Sequence, residues 1–366
     1  MNGLPEQHIQ FCRAADGVNL AYTSVGKGTP LVKAANWLSH LEYDWTSPVW
    51  RHWLEGLSRH HRFIRYDQRG CGLSDWDVDR FSLEAWVSDL EAVVEAAGLD
   101  HFALLGISQG APIAITYAVR HPEKVTHLIL HGSYARGRLH RRPSADQERE
   151  IEVFQELISL GWGKSNPAFR QVFTSMFMPE ATVEQMQWFN ELQRVSSSPE
   201  NAVRIRSQFS TIEVSSLAPK IRIPTLILHS KNDAVVPFQE GRLLATLIPQ
   251  SRFVPLESNN HILLADEPAW RKFLEEAALF LGDPGPADTG GAEKGEALIG
   301  DYTLREREVL TLLAQGFGNQ DIARELVLTP KTVRNYISII YNKLGVHSRG
   351  EAIVRAREVG FGKEIS

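Results

Sequence analysis

Gly106-Ile107-Ser108-Gln109-Gly110 follows a short apolar run, Phe102–Leu105, and precedes a helical pattern, Ala111–Arg120. A serine between glycines at a strand-to-helix junction sits on a sharp turn that thrusts its hydroxyl outward, so Ser108 is the candidate nucleophile. A serine hydroxyl is a weak nucleophile and needs a neighbouring base, itself oriented by a third group. Asp233, in the segment NDAVVP, lies 125 residues after Ser108 and just past the apolar run Thr225–His229. His261 comes 28 residues later, just past Arg252–Leu256. Both stand beyond the carboxyl ends of expected strands, where open parallel sheets hold their ligands. The other place for an acid, after Val125–His131, offers only Gly132 and Ser133. Ser108, Asp233 and His261 therefore form the expected triad, and acyl transfer from an ester, lactone or amide is the chemistry it would serve. Of the remaining histidines, His52, His60, His61, His121 and His140 read as surface or helix-end residues.

The surrounding pattern is what such a triad requires. Gln10–Val25 reads as a hairpin turning at Asp16-Gly17. Apolar strands follow at Pro30–Ala35, Arg62–Tyr66, Phe102–Leu105, Val125–His131, Thr225–His229 and Arg252–Leu256, with helical patterns such as Leu83–Ala97 between them. Apolar strands separated by helices predict an α/β fold, a mostly parallel sheet covered on both faces. From about 140 to 219 the alternation gives way to helical patterns broken by Pro143, Gly161, Pro167, Pro179 and Pro199, an expected helical cap. Its aromatic residues, each read alone, bind the cap to the core; together they could wall an apolar pocket. Lys33, inside an otherwise apolar strand, reads as a stem snorkelling to the sheet end.

Residues 282–300, rich in Gly, Pro, Ala and small polar residues, read as a flexible linker between a domain over 1–281 and another over 301–366. The net charge of −5 is uneven: 301–366 carries ten Lys or Arg against eight Asp or Glu, so the excess of acid lies in the first 300 residues. Within 329–349, Lys331, Arg334, Lys343 and Arg349 meet no acidic residue, a segment suited to a phosphate backbone. Two cysteines, Cys12 and Cys71, cannot build a disulfide framework or a clustered zinc site. No metal or organic cofactor is expected. No apolar run is long enough to span a bilayer, and Met1–Phe11 has no leader pattern, so the expected location is the cytoplasm.

In the C-terminal segment, Thr303 and Glu306 make a capping box for a helix burying Val309, Leu310, Leu312 and Leu313. After Gly316 and Gly318, Asn319 is expected to cap a helix over 320–326. A short turn leads to Pro330 at the first position of the next helix, whose Val333, Ile337, Ile340 and Leu344 form one apolar stripe. Lys331, Thr332, Arg334, Asn335 and Ser338 fall off that stripe near the helix start, where a recognition helix meets the major groove. Arg334 suits guanine, Asn335 adenine and Lys331 phosphate. Double-stranded DNA is the expected partner.

Residues 10–282 resemble the α/β-hydrolase family, on the strength of YDQRGCGLS (66–74), GISQG, NDAVVP and the His261 segment. In that family the first of these is largely structural, so the resemblance assigns Asp67 and Arg69 no catalytic role. Members usually carry His-Gly after the strand equivalent to Pro30–Ala35; here Ala35-Asn36 stand there. The resemblance implies an oxyanion hole from the backbone N–H groups of Trp37 and Gln109, since backbone donors do not depend on side-chain identity. Residues 302–362 resemble LuxR-type helix-turn-helix domains, through YTLREREVL, a glycine break, NQDIAREL and TPKTVRNYISIIYNKLGV; Tyr336 stands where members commonly carry histidine. That resemblance implies a final helix, Gly350–Val359, which dimerises on DNA. The joint expectation is a homodimeric transcriptional regulator whose hydrolase-like domain binds a small-molecule signal that its triad would also be able to hydrolyse. The alternative is an active serine hydrolase with the helix-turn-helix as tether or dimerisation module; a third reading is a catalytically dead receptor.

Overall fold

The computed structural model describes residues 7–283 and, apart from 327, 345, 347, 359 and 360, residues 304–361. They belong to two compact units divided between Asp283 and Pro284. Most of the expected linker, 284–300, and Thr303 lie outside the described residues. Gly282 closes the preceding helix as its C-cap at φ 69, the left-handed conformation that glycine adopts at least cost.

The larger unit is built on an eight-stranded sheet. β1 (Ile9–Arg13) and β2 (Asn19–Val25) form an antiparallel hairpin, with Gly17 at φ 93 in its turn. β3 (Thr29–Ala34) is followed by α1 (Leu41–Trp45) and α2 (Arg51–Ser58), then by β4 (His61–Tyr66), which pairs antiparallel with β2. From β4 on the sheet is parallel, through α3 (Leu83–Ala96), β5 (Phe102–Ile107), α4 (Gly110–Arg120) and β6 (Val125–His131), and its order is β1-β2-β4-β3-β5-β6-β7-β8. Every residue of β5 is buried. A strand without a wet face needs helices on both sides, and parallel neighbours need long crossovers, so one pattern dictates both features. β5 runs two residues beyond the expected strand and ends directly beneath Ser108.

Between β6 and β7 (Thr225–Ser230) stand four helices, α5 (Ala145–Gly161), α6 (Ala168–Phe177), α7 (Val183–Ser196) and α8 (Pro199–Thr211). Their starts are local: Ser144 and Thr182 each complete a capping box, and Ser198 caps α8 with Pro199 at its first position. Arg170, 2% exposed, donates to the carbonyls of Gly161, Trp162, Lys164 and Asn190. It thereby satisfies the orphan carbonyls at the end of α5 and ties α6 to α7. β7, α9 (Phe238–Leu247), β8 (Arg252–Leu256) and α10 (Pro268–Leu281) complete the unit. His61 departs from the expected surface position: it is 4% exposed, with Nε2 2.9 Å from Asp283 and Nδ1 2.9 Å from Thr29.

The smaller unit packs α11 (Leu304–Ala314), α12 (Asn319–Glu325), α13 (Pro330–Leu344) and α14 (Arg349–Glu358). Its core joins Val309, Leu310 and Leu313 to Ile322, Val333, Ile340, Ala352 and Ala356. Asn319 does not cap α12 as expected: Gly318 is the N-cap, and the Asn319 side chain accepts from Arg349 Nη1 at 2.8 Å. Arg349 also donates to the Phe317 carbonyl, so it braces the turn before α12.

Candidate functional site

Ser108 stands at φ 53, one of three described non-glycine residues on the left-handed side. Such a conformation costs on the order of 1–3 kcal/mol and persists only where its surroundings enforce it. Here they are tight. A Cβ on Gly106 would come within 2.7 Å of Ala111 Cα, and one on Gly110 within 2.9 Å of the Ala34 carbonyl oxygen. The Ser108 N–H donates to the His131 carbonyl at 2.9 Å, binding the turn to the end of β6.

His261 Nδ1 lies 2.6 Å from Asp233 Oδ2. The other Asp233 oxygen accepts from the N–H groups of Val235 and Val236 at 2.8 and 2.9 Å. Burial alone would favour neutral Asp233, but the His261 imidazole, then His229 and the Val236 N–H, outweigh it and hold the carboxyl below its usual range. The imidazole is fixed from several sides. The His261 N–H donates to the Phe177 carbonyl at 2.8 Å, and the Phe177 ring meets it edge-on at 5.3 Å. Gly132, at φ 54, lies so close that a Cβ there would come within 2.9 Å of His261 Cε1. His131, adjacent to Gly132, places Nε2 3.2 Å from the His261 carbonyl. Burial, and then the neighbouring His261 and His229, push His131 down to about 3.

His261 Nε2 is buried with no hydrogen-bond partner among the described residues. The aspartate–histidine link is thus closed and the histidine–serine link is open. Unliganded sites often have this bond long, closing it only around substrate. The last residue of β6 supplies the His131 carbonyl against the serine turn, and the segment after it, which holds no acid, supplies Gly132 against the imidazole. Its signal in the sequence was a glycine directly after an apolar strand, a sign of close approach.

Trp37 and Gln109 line the same solvent-open cleft as Ser108. Trp37 stacks on Trp162 at 5.2 Å and meets Phe209 edge-on at 6.1 Å, so the bulky residue forms an aromatic wall. Lys33 does not snorkel out: its Nζ bonds Asn36 Oδ1, and Asn36 Nδ2 donates to the Trp37 carbonyl at 3.4 Å. Burial pushes Lys33 down to about 8, against the opposing pull of Asp44. Tyr134, Arg138, Arg141, Phe177 and Arg206 also line the cleft; of these the sequence pointed only to Phe177, as one of the cap aromatics that together could wall a pocket. Among the described residues no group of three or more His, Cys, Asp or Glu is placed to hold a metal, and no helix is long and apolar enough to cross a membrane.

In the smaller unit, α13 buries Val333, Ile337 and Ile340 and leaves Lys331, Arg334 and Asn335 exposed. Thr332 is half-buried, its hydroxyl 2.8 Å from that of Thr329, which also caps the helix by accepting from the Thr332 N–H. The Ser338 and Leu344 side chains lie outside the described residues.

Residues 45–268 match the alpha/beta hydrolase fold family, and residues 302–356 match the bacterial regulatory proteins of the luxR family. The AB hydrolase superfamily protein YisY of Bacillus subtilis is 26% identical over 255 residues, covering 69% of this chain and 91% of its own length. An esterase from Exiguobacterium antarcticum is 26% identical with a TM-score of 0.63, covering 75% of this chain and 99% of its own. A bromoperoxidase from Bacillus anthracis, 23% identical with a TM-score of 0.62 over 75% of this chain and 100% of its own, shares the fold.

Proposed function

The chain belongs to the alpha/beta hydrolase fold family and carries a C-terminal DNA-binding domain of the luxR family, and on that premise we propose that it is a ligand-responsive transcriptional regulator. The hydrolase-type unit binds a small molecule in the Ser108 cleft, and α13 reads an operator. One juxtaposition within a single chain carries this reading: a serine elbow beside an aspartate-held imidazole, joined to a helix whose exposed start is basic. A ligand changes DNA binding only if it favours one state of the protein over another. The test is selection of duplexes from a random library by the full chain, repeated with ligands found by thermal shift on Ser108→Ala. Converged duplexes whose affinity responds to such a ligand would support the reading; no convergence would end it.

A second reading, an active serine hydrolase with a DNA tether, is favoured by the 2.6 Å His261–Asp233 contact. In that reaction Ser108 Oγ attacks the substrate carbonyl as its proton passes to His261 Nε2. Asp233 stabilises the imidazolium, and the N–H groups of Trp37 and Gln109 receive the oxyanion. Collapse expels the alcohol or amine with the proton from His261. Water then cleaves the acyl-serine, again through His261. The readings are compatible, because slow hydrolysis would clear the signal.

A further inference from the structure

Three guanidinium groups, those of Arg138, Arg141 and Arg206, line the Ser108 cleft. Their counter-charges are few. Glu240 pairs with Arg136 at 2.6 Å and lies 4.0 Å from Arg141. Arg141 otherwise donates to the Arg136 carbonyl and stands over the Tyr134 ring. Neither Arg138 nor Arg206 makes a side-chain hydrogen bond or an ion pair with the described residues; Glu150 acts on Arg138 only from a distance. Arg206 faces the rings of Phe154 and Phe173 at 5.7 and 5.4 Å. Burial, and then Arg138, push it down to about 9.

A purely structural cation over two rings needs no like-charged neighbours. Gathering three partly desolvated guanidiniums costs stability unless an anion joins them. Arg138 and Arg141 also line an adjoining cavity, where Ile151, Phe154 and Met176 supply apolar surface and Gln147 and Glu150 polar surface. The cationic cluster thus lines both the nucleophile's cleft and a chamber whose apolar part is Ile151, Phe154 and Met176. We propose that the cleft selects small molecules bearing an oxyanion head, a carboxylate or a phosphate, on an apolar body, with Arg206 and Arg138 holding the head near Ser108. This rests on the proposed reading that the Ser108 cleft is the ligand site.

The test pairs two esters on the full chain, p-nitrophenyl butyrate and mono-p-nitrophenyl glutarate, which differ chiefly by the carboxylate. The wild type should favour the glutarate in kcat/KM, and Arg206→Gln should lower that value by about tenfold or more. The butyrate value should fall by clearly less, so that the preference for the glutarate collapses, with folding of the variant checked by its circular dichroism; Arg206→Lys should restore part of the preference. Equal use of the two esters, or equal losses in Arg206→Gln, would overturn the proposal. If neither ester is hydrolysed, the hydrolytic reading fails separately, and titration of Ser108→Ala with hexanoate, hexyl phosphate and hexanol, followed by tryptophan fluorescence, decides. Saturable binding of either anion but not hexanol, lost on adding Arg206→Gln, supports the proposal and identifies the head group. Binding of neither anion, or binding indifferent to Arg206, refutes it.

Discussion

Asp233 and His261 are the residues whose geometry commits the site most strongly, because the carboxylate spends one oxygen on two backbone amides and the other on the imidazole. If the triad turns over esters, Ser108→Ala should lower p-nitrophenyl ester kcat by about a thousandfold or more. Unchanged turnover would remove Ser108 from the role. His131 supplies a different signature. Its folded pKa lies below that of an unfolded histidine, at about 3, so the unfolded chain takes up the proton first. The stability held by neutral His131 is therefore complete above about pH 6.5 and drains away as pH falls toward 3. Between pH 8 and pH 5 this one group should cost about 2 kcal/mol, read from urea midpoints of the full chain. His52, pushed down to about 4 mainly by burial, adds a loss of the same sign. His131→Asn should flatten the pH dependence; an unchanged slope would show that His131 is not the proton acceptor.

At the scale of elements, the serine elbow and the helix α13 were legible in the sequence for different reasons. The elbow is defined by exclusion: Gly106 cannot carry a Cβ because α4 begins 2.7 Å from where it would stand. Gly106→Ala should therefore destabilise the larger unit by about 1–3 kcal/mol, seen as a lowered thermal midpoint. The helix α13 is defined by an apolar stripe at Val333, Ile337 and Ile340, all buried, which leaves Lys331, Arg334 and Asn335 facing water. Arg334→Ala with Asn335→Ala should abolish sequence selectivity in duplex binding. Lys331→Ala should weaken all sequences alike and reduce the logarithmic salt slope by about 1. What periodicity could not reveal is which long side chains converge from distant segments. Arg138 follows β6, Arg206 belongs to α8, and only the placement of the cap gathers them. Asn319 was misread for a related reason: a local capping rule competed with Arg349, thirty residues away, and the tertiary bond won.

For the whole molecule the decisive quantity is the coupling free energy between the Ser108 cleft and the operator. If a ligand raises or lowers operator affinity by some factor, the operator must change ligand affinity by the same factor. Ser108→Ala is the right background, because a consumed ligand would make the coupling drift with time. In that variant a saturating ligand should shift operator Kd by about 5- to 150-fold, in either direction. Adding operator to the ligand titration should return the same ratio. Arg206→Gln, which weakens the ligand alone, should move the ligand concentration for half-maximal response without altering operator affinity in the ligand's absence. Ligand binding that leaves operator Kd untouched would mean that the two units share a chain without sharing a switch, and the tethered-hydrolase reading would then stand in its place.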